Sequence, residues 1–252
     1  MTIMTEYHGY KIEFFDEIDS TNTYLVERAK AGAPDKTVAI ANRQTAGRGR
    51  RGKSFFSPEN TGLYMSVIWK GDCDVKTAML ITPAVACAVA DGLERVSGKE
   101  MGIKWVNDIY SGGKKLCGIL TETRFDFEHD KLDFAVIGIG INLCEPKGGF
   151  PKELENVATA VFKEYSEDMR TAVLQNVLDN LDKYLPQITK KKFLKEYRRR
   201  SVLIGKTVNI IKGEDIRPAQ VIGIDDSAKL VVKDDSGVHA IDSGEISIRL
   251  AD

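Results

Sequence analysis

The run IKWVNDIYSGGKKLCGILTETRFDFEHDKLDFAVIGIGIN, residues 103–142, holds three apolar, β-branched segments in succession, at about 103–107, 114–124 and 132–141. Such segments bounded by Gly, Asn and Asp read as strands. The Gly112-Gly113 pair falls where a two-residue hairpin needs positive φ, so the first two strands are expected to pair as a hairpin. Working outward, residues 63–69 alternate as a further strand, and residues 84–96 form an apolar helix with Thr82 as N-cap, Pro83 at N1 and Gly98 past its end. Nearer the N-terminus, residues 11–18 have strand composition. Asp19-Ser20-Thr21-Asn22 then supplies capping oxygens for a short helix closed by Gly32 and Pro34. Residues 37–41 form a short strand, and residues 42–62 a long loop rich in Gly and Arg.

Downstream, helical patterns occupy about 153–162, 168–185 and 190–200, with Pro186 separating the last two. The basic triplets 190–192 and 198–200 read as solvated helix faces. After Ser201 the composition changes to short β-rich runs separated by Gly, Asp and Ser, the pattern of a small all-β barrel. The chain is therefore expected to divide into residues 1–201 and 202–252.

Composition narrows the function classes. The 252 residues carry 36 Lys+Arg against 37 Asp+Glu, a net charge of −1, which excludes a globally basic nucleic-acid coat and leaves room for a local basic patch. Hydrophobic residues at 42% and charged residues at 29% are ordinary for a globular protein. Four cysteines, at 73, 87, 117 and 144, form no CxxC pair and sit mostly in apolar runs, so reduced core cysteines are expected and not a zinc site. The N-terminus lacks a basic segment followed by an apolar one, and the run 78–93 reads as too short and too polar to span a bilayer. A cytoplasmic protein without membrane attachment is the expectation.

Four segments carry chemistry. Residues 47–53, GRGRRGK, put three arginines within four positions of a Gly-rich loop. Glycine lets the backbone approach a ligand, and guanidinium forks grip carboxylate or phosphate. A solvated loop is the bland alternative. Residues 47–54 also fit GxxxxGK[ST] letter for letter, but a P-loop must run from a strand directly into a helix, and Phe55-Phe56-Ser57-Pro58 does not start one. Lys104-Trp105-Val106-Asn107-Asp108 ends a strand in two polar side chains, which alone could be a simple turn. Lys115 enters an apolar strand, either as an edge gatekeeper or as an anion ligand. Gly138-Ile139-Gly140-Ile141-Asn142 lacks the third glycine of a dinucleotide fingerprint, so its glycines read as close backbone approach with Asn142 as a polar tip.

In this order, DSTN (19–22), QxxGRGRRGK (44–53), KWxND (104–108), KLxGILxE (115–122) and GIGIN (138–142) resemble biotin–protein ligases, the enzymes that attach biotin to the carrier protein of acetyl-CoA carboxylase and related carboxylases. The resemblance spans about residues 10–145, and the β-rich tail fits the family's small SH3-like C-terminal domain. It implies an α+β fold, a mixed β-sheet flanked by helices as in class II synthetases. Under it, Ser20, Thr21, Asn22 and Gln44 would hold the bicyclic ring of biotin. Gly47, Arg48, Gly49 and Arg50 would form the biotin and adenylate loop, with Lys115 and Gly118 also at the biotin site. Arg50, Arg51, Phe55, Trp105, Asn107, Asp108, Lys115 and Asn142 would surround ATP or the adenylate. No metal ligand is firmly assigned, and Mg²⁺ would enter through the phosphates. Phe55 stands where some relatives have Trp, and Val106 where many have Pro.

The implied chemistry fits the residues. A carboxylate attacking the α-phosphate brings two anions together, so Arg48, Arg50, Arg51 and Lys115 would stabilise the junction. No covalent enzyme intermediate is expected: there is no GxSxG, and His8, His129 and His239 lie outside every motif. The second step needs a neutral lysine amine, costing about 4.6 kcal/mol at pH 7 from a reference pKa of about 10.4. Asp108 is the candidate to accept its proton or orient it. The catalytic set is thus Arg48, Arg50, Lys115 and Asp108, and the partner a biotin carboxyl carrier protein. A lipoate–protein ligase-like enzyme is the alternative. Some biotin ligases carry an N-terminal helix-turn-helix, but the residues before Asp19 read as a strand, so no sequence-specific nucleic-acid binding is expected. A homodimer is a mild preference.

Overall fold

The computed structural model describes residues 5–242 and 247–250. Along the chain run β1 (Glu6–Tyr7), β2 (Tyr10–Ile18), α1 (Thr21–Lys30), β3 (Thr37–Gln44), β4 (Gly62–Trp69), α2 (Val75–Ala78), α3 (Ile81–Ser97), β5 (Gly102–Lys104), β6 (Asp108–Ser111), β7 (Lys114–Asp126) and β8 (Lys131–Asn142). They are followed by α4 (Glu167–Tyr184), α5 (Phe193–Arg199), β9 (Thr207–Lys212), β10 (Asp215–Ile224), β11 (Leu230–Asp234), β12 (Gly237–Ile241) and β13 (Ser247–Leu250). The strands form two sheets. The first has eight strands in the order β1-β2-β3-β4-β8-β7-β6-β5, and the second five in the order β12-β11-β10-β9-β13. In the first, β2 and β3 are parallel and the other pairs antiparallel, so the sheet is mixed.

β4 and β8 lie at the centre of the first sheet and are apolar on both faces, as expected of strands covered on both sides. On one side α3, with α4 and α5 around it, packs on Leu63, Met65, Ile137 and Ile139 in the main core. On the other side α1 covers Ala39, Ile68 and Val136 with Leu25 and Ala29. Continuous burial along α3 explains its composition: the run Val75–Ser97 has mean hydropathy 1.3, and 67% of its most apolar window is buried inside the protein. It is long and apolar enough to cross a membrane by composition, contrary to the reading of 78–93 as too short and too polar, and it serves as the central core helix.

Several sequence expectations are corrected. Residues 153–162 do not form a helix. Their backbone pairs with the start of β7 instead: Lys115 N–H donates to Val157 O at 2.8 Å and Thr159 N–H to Lys115 O at 2.8 Å. Tertiary pairing overrides local helical preference there. α3 begins before the expected cap. Thr82 bonds Thr121 Oγ1 at 2.8 Å, and Pro83 sits in the first turn, where its missing N–H leaves no intrahelical bond unmade. The strand expected at 103–107 stops at Lys104. Trp105, Val106 and Asn107 make a turn, and Asp108 opens β6. The strand expected at 37–41 continues to Gln44, and the helix expected at 190–200 is confined to α5 behind a 3-10 turn at Leu185–Lys190.

A further correction is Arg200, which was expected on a solvated face. Its side chain is only 4% exposed and pairs with Asp91 at 2.9 Å, Glu94 at 2.5 Å and Glu196 at 2.7 Å, while also donating to Met101 O at 3.0 Å. It ties α3 to α5. Hydrogen bonds from Arg200 hold Glu94 below the ordinary glutamate range, and those from Arg199, with Arg200 adding to them, do the same for Glu196. Arg200→Met leaves these carboxylates together without their cation. It is expected to lower stability by about 3–5 kcal/mol in urea unfolding at pH 7. Carboxyls depressed in the folded state stabilise it above their unfolded pKa of about 4.3, and that contribution fades as pH falls through the lower folded value. The gap between wild type and variant should therefore hold from pH 7 down to about 5 and narrow as pH falls below about 4.3; a gap that stays constant down to about pH 3 would refute the assignment.

Candidate active site

The cavity opens on the face of the first sheet where α1 begins. It measures about 420 Å³ and is lined by β3, β4, β6, β7, β8, the N-terminus of α1 and the loop between β3 and β4. Ser20 caps α1 by accepting from Thr23 N, which places Ser20, Thr21 and Asn22 at the helix start and against the sheet. All three are buried, as polar groups can be only when hydrogen-bonded. Thr21 N–H donates to Gln44 Oε1 at 2.9 Å, so extension of β3 to Gln44 is what brings that amide into the site.

The loop closes over this base. An antiparallel bridge joins Arg48 to Ser54, Gly49 N–H donates to Lys53 O at 2.7 Å, and Phe55 N–H donates to Gly47 O at 2.8 Å, making a hairpin with a 3-10 turn at Arg50–Gly52. No helix follows Ser54, so the P-loop pattern is accidental. Arg48 reaches Glu122 on β7 through two parallel bonds, both 2.8 Å. Arg50 lies 3.4 Å from Asn107 Oδ1. Burial, with the Arg51 charge beside it, pulls the Arg50 guanidinium below its usual value. Arginine remains cationic at neutral pH, so this is a positive group poorly solvated by water, a condition an entering anion relieves.

From the opposite wall Lys115 Nζ comes within 2.7 Å of Asp108 Oδ1, across the β6–β7 pair. This is a charge contact and not an aligned hydrogen bond. The floor between the two cationic groups is β8. A Cβ on Gly140 would fall 2.6 Å from Phe55 Cε1, and one on Gly138 would fall 2.0 Å from Asn22 Oδ1. Both glycines are therefore demanded by close approach, as the sequence suggested for GIGIN. Asn142 Nδ2 donates to Thr159 O at 3.1 Å, which leaves its oxygen toward the cavity. Trp105 lines the cavity while its indole N–H donates to Ala228 O in the β10–β11 turn at 2.9 Å.

The cavity thus brings together Ser20, Thr21, Asn22, Gln44, Arg48, Gly49, Arg50, Arg51, Phe55, Trp105, Asn107, Asp108, Lys115, Gly118 and Asn142. Gly47 stands behind it, under the loop. Sequence reasoning missed Leu154 and Val157, which fall in the segment read as a helix, and Phe150 just before it, and gave Glu122 and Ser66 no role. Glu122 was visible as the last letter of its motif. Ser66 was visible as a hydroxyl inside an otherwise apolar strand. The four cysteines are buried and free; burial raises the Cys73 thiol to about 11, and the Cys87 and Cys117 thiols still further. Among the described residues no three His, Cys, Asp or Glu side chains gather as a metal site.

Comparison with known proteins agrees with this geometry. Residues 14–142 match the biotin/lipoate A/B protein ligase family, and residues 203–249 match the biotin protein ligase C-terminal domain. The bifunctional ligase/repressor BirA of Bacillus subtilis is 33% identical over 252 residues, covering 98% of this chain and 76% of the relative. The biotin–[acetyl-CoA-carboxylase] ligase of Mycobacterium tuberculosis is 29% identical, covering 94% of this chain and 88% of the relative. The biotin protein ligase of Aquifex aeolicus, solved in complex with biotin and ATP, superposes with a TM-score of 0.76 at 27% identity, covering 95% and 99% of the two chains. On these matches the chain belongs to the biotin protein ligases of the biotin/lipoate A/B protein ligase family.

Proposed function

We propose that this protein is an ATP-dependent biotin–[acetyl-CoA-carboxylase] ligase that makes biotinyl-5′-AMP and passes the biotinyl group to a lysine of a biotin carboxyl carrier protein. The observation that carries the reading is the make-up of one cavity: a hydrogen-bonding base at Ser20, Thr21, Asn22 and Gln44, with Arg48 held beside Asn22 by Glu122, shares its walls with the cations Arg50 and Lys115. A ligand with a polar uncharged head and a carboxylate tail fits that arrangement. The C-terminal domain match favours biotin over lipoate.

In the first step the biotin carboxylate oxygen attacks the α-phosphorus of ATP, and pyrophosphate leaves. Two anions meet, and preorganised cations lower the cost of their approach. Lys115 would exchange Asp108 for the carboxylate and α-phosphate, and Arg50 would bring its charge to them from the loop. Asp108 is the one acidic side chain among the described residues lining the cavity. That donor set suits Mg²⁺ in the mode where one carboxylate and substrate phosphates share the ion, with Asp108 and the Asn142 oxygen as its protein ligands. In the second step the acceptor amine attacks the acyl carbon and AMP leaves. Asp108 would take the proton or orient the amine. The loop bearing Arg48 and Arg50 would shield the anhydride from water. We place the protein in the cytoplasm, without sequence-specific nucleic-acid binding and with a homodimer as its assembly.

Incubation with radiolabelled biotin, ATP, Mg²⁺ and a biotin carrier domain should label the carrier. Lys115→Ala should cut kcat/KM for pyrophosphate release by about 10²–10³-fold; a loss under threefold, or release driven by lipoate and not by biotin, would overturn the reading. Asp108→Asn should slow transfer from preformed adenylate by about 10²-fold, and an unchanged transfer rate would remove Asp108 from that step. Cleavage of the loop at Arg48, Arg50 and Arg51 by trypsin should slow when biotin and ATP are present. Equal cleavage with and without them would count against closure.

A further inference from the structure

We propose that Glu122 is a positioning residue: its carboxylate couples the loop arginine Arg48 to the amide of Asn22 and fixes which hydrogen-bonding groups the base of the cavity presents. The proposal rests on the reading of that base as the biotin ring site. Neither Glu122 nor Ser66 is among the residues that line the cavity, so each acts from behind the wall.

The argument follows from what a carboxylate can do. It accepts and cannot donate. Glu122 takes both Arg48 bonds, and its Oε2 also takes Asn22 Nδ2 at 3.0 Å. Asn22 must therefore turn its NH₂ toward β7, where Leu120 O receives the second hydrogen at 3.3 Å. Its Oδ1 then faces Ser66, whose hydroxyl donates to it at 2.6 Å. With the Ser66 proton committed, Ser66 Oγ can only accept from the Thr21 hydroxyl at 2.8 Å, and that hydroxyl also has Gln44 Oε1 within 3.2 Å, where the Thr21 backbone N–H donates at 2.9 Å. Gln44 Nε2 points on to Ser57 Oγ at 3.0 Å, and Ser57 donates to Phe55 O at 3.0 Å. One negative charge thus sets the direction of the bonds from Arg48 through Asn22 to Ser66, and the chain runs on through Thr21 and Gln44 to the foot of the same loop.

The chemical consequence is specific. Both amide hydrogens of Asn22 are taken by Glu122 and Leu120, so any further bond it makes to a ligand runs through its oxygen, an acceptor for ligand N–H. A cyclic urea carries an N–H on each side of its carbonyl and needs such an acceptor. Replacing Glu122 by Gln leaves one oxygen for two competing donors, Arg48 and Asn22, and turns an NH₂ toward one of them. The amide of Asn22, held against Gly138, then loses its single orientation.

Biotin binding by isothermal titration calorimetry on the full chain, without ATP, tests this with Glu122→Gln, Ser66→Ala and the double variant. Each single change is expected to raise Kd about tenfold, a shift of about 1.4 kcal/mol. The double variant should match the weaker single one, because both changes break one chain. In turnover, the biotin KM should rise while the ATP KM stays within about twofold. Glu122 is partly exposed and Glu122→Gln is expected to fold; Ser66→Ala is the separate test should it not. Either single variant binding within twofold of wild type, losses that multiply in the double variant, or equal rises in both KM values would overturn the proposal. A wild-type protein that binds no biotin would instead remove the reading of the cavity, and this inference with it.

Discussion

Keeping several cations in a half-buried cavity is the constraint around which this protein is arranged. Positive charge withdrawn from water must be met by something. Here a lysine on β7 leans on an aspartate on β6, and an arginine in the loop forks onto a glutamate further along β7. Both pairs are only partly buried, so neither is held at great energetic cost. Each is strong enough to give its cation a defined place and weak enough to yield to a ligand that brings more negative charge.

The sheet is what allows the two pairs to face one another. Both stand on β7, and beside it the glycines of β8 leave the floor low enough for Phe55 from the loop and Asn22 from α1 to lie directly on the backbone. The hydrophobic core on the far face of the sheet, built from α3 and its neighbours, makes that floor rigid. A rigid floor with mobile-looking polar tips would be a poor site. The hydrogen-bond chain from Glu122 through Asn22, Ser66, Thr21 and Gln44 removes that slack, so scaffold and chemistry are joined by directional bonds as well as by packing.

Much of the site could be read from the chain because its residues have few other uses. Three arginines between glycines, a lysine entering an apolar strand, and alternate glycines at a strand end each contradict what a plain strand or loop would contain. Their meaning came from their order. What escaped reading lay in two places. Residues 153–162 carry helical composition, but their backbone is claimed by the edge of β7, and no local pattern announces a partner so distant in sequence. Arg200 looks like one more basic residue in a triplet, and only the fold brings Asp91 and Glu94 to it. Glu122 and Ser66 were hidden for a related reason: they touch residues of the site and not its cavity.

The indole of Trp105 offers a last consequence. Its ring lines the cavity, yet its one polar hydrogen is accepted by a carbonyl in the β10–β11 turn of the second sheet, while Tyr197 on α5 donates to the neighbouring Val106 O. The small terminal sheet is thus a splint for the turn that carries Asn107 and Asp108. A chain trimmed near residue 202 in search of a minimal ligase would keep every motif and still strand a buried N–H beside the Asn107–Asp108 end of the cavity.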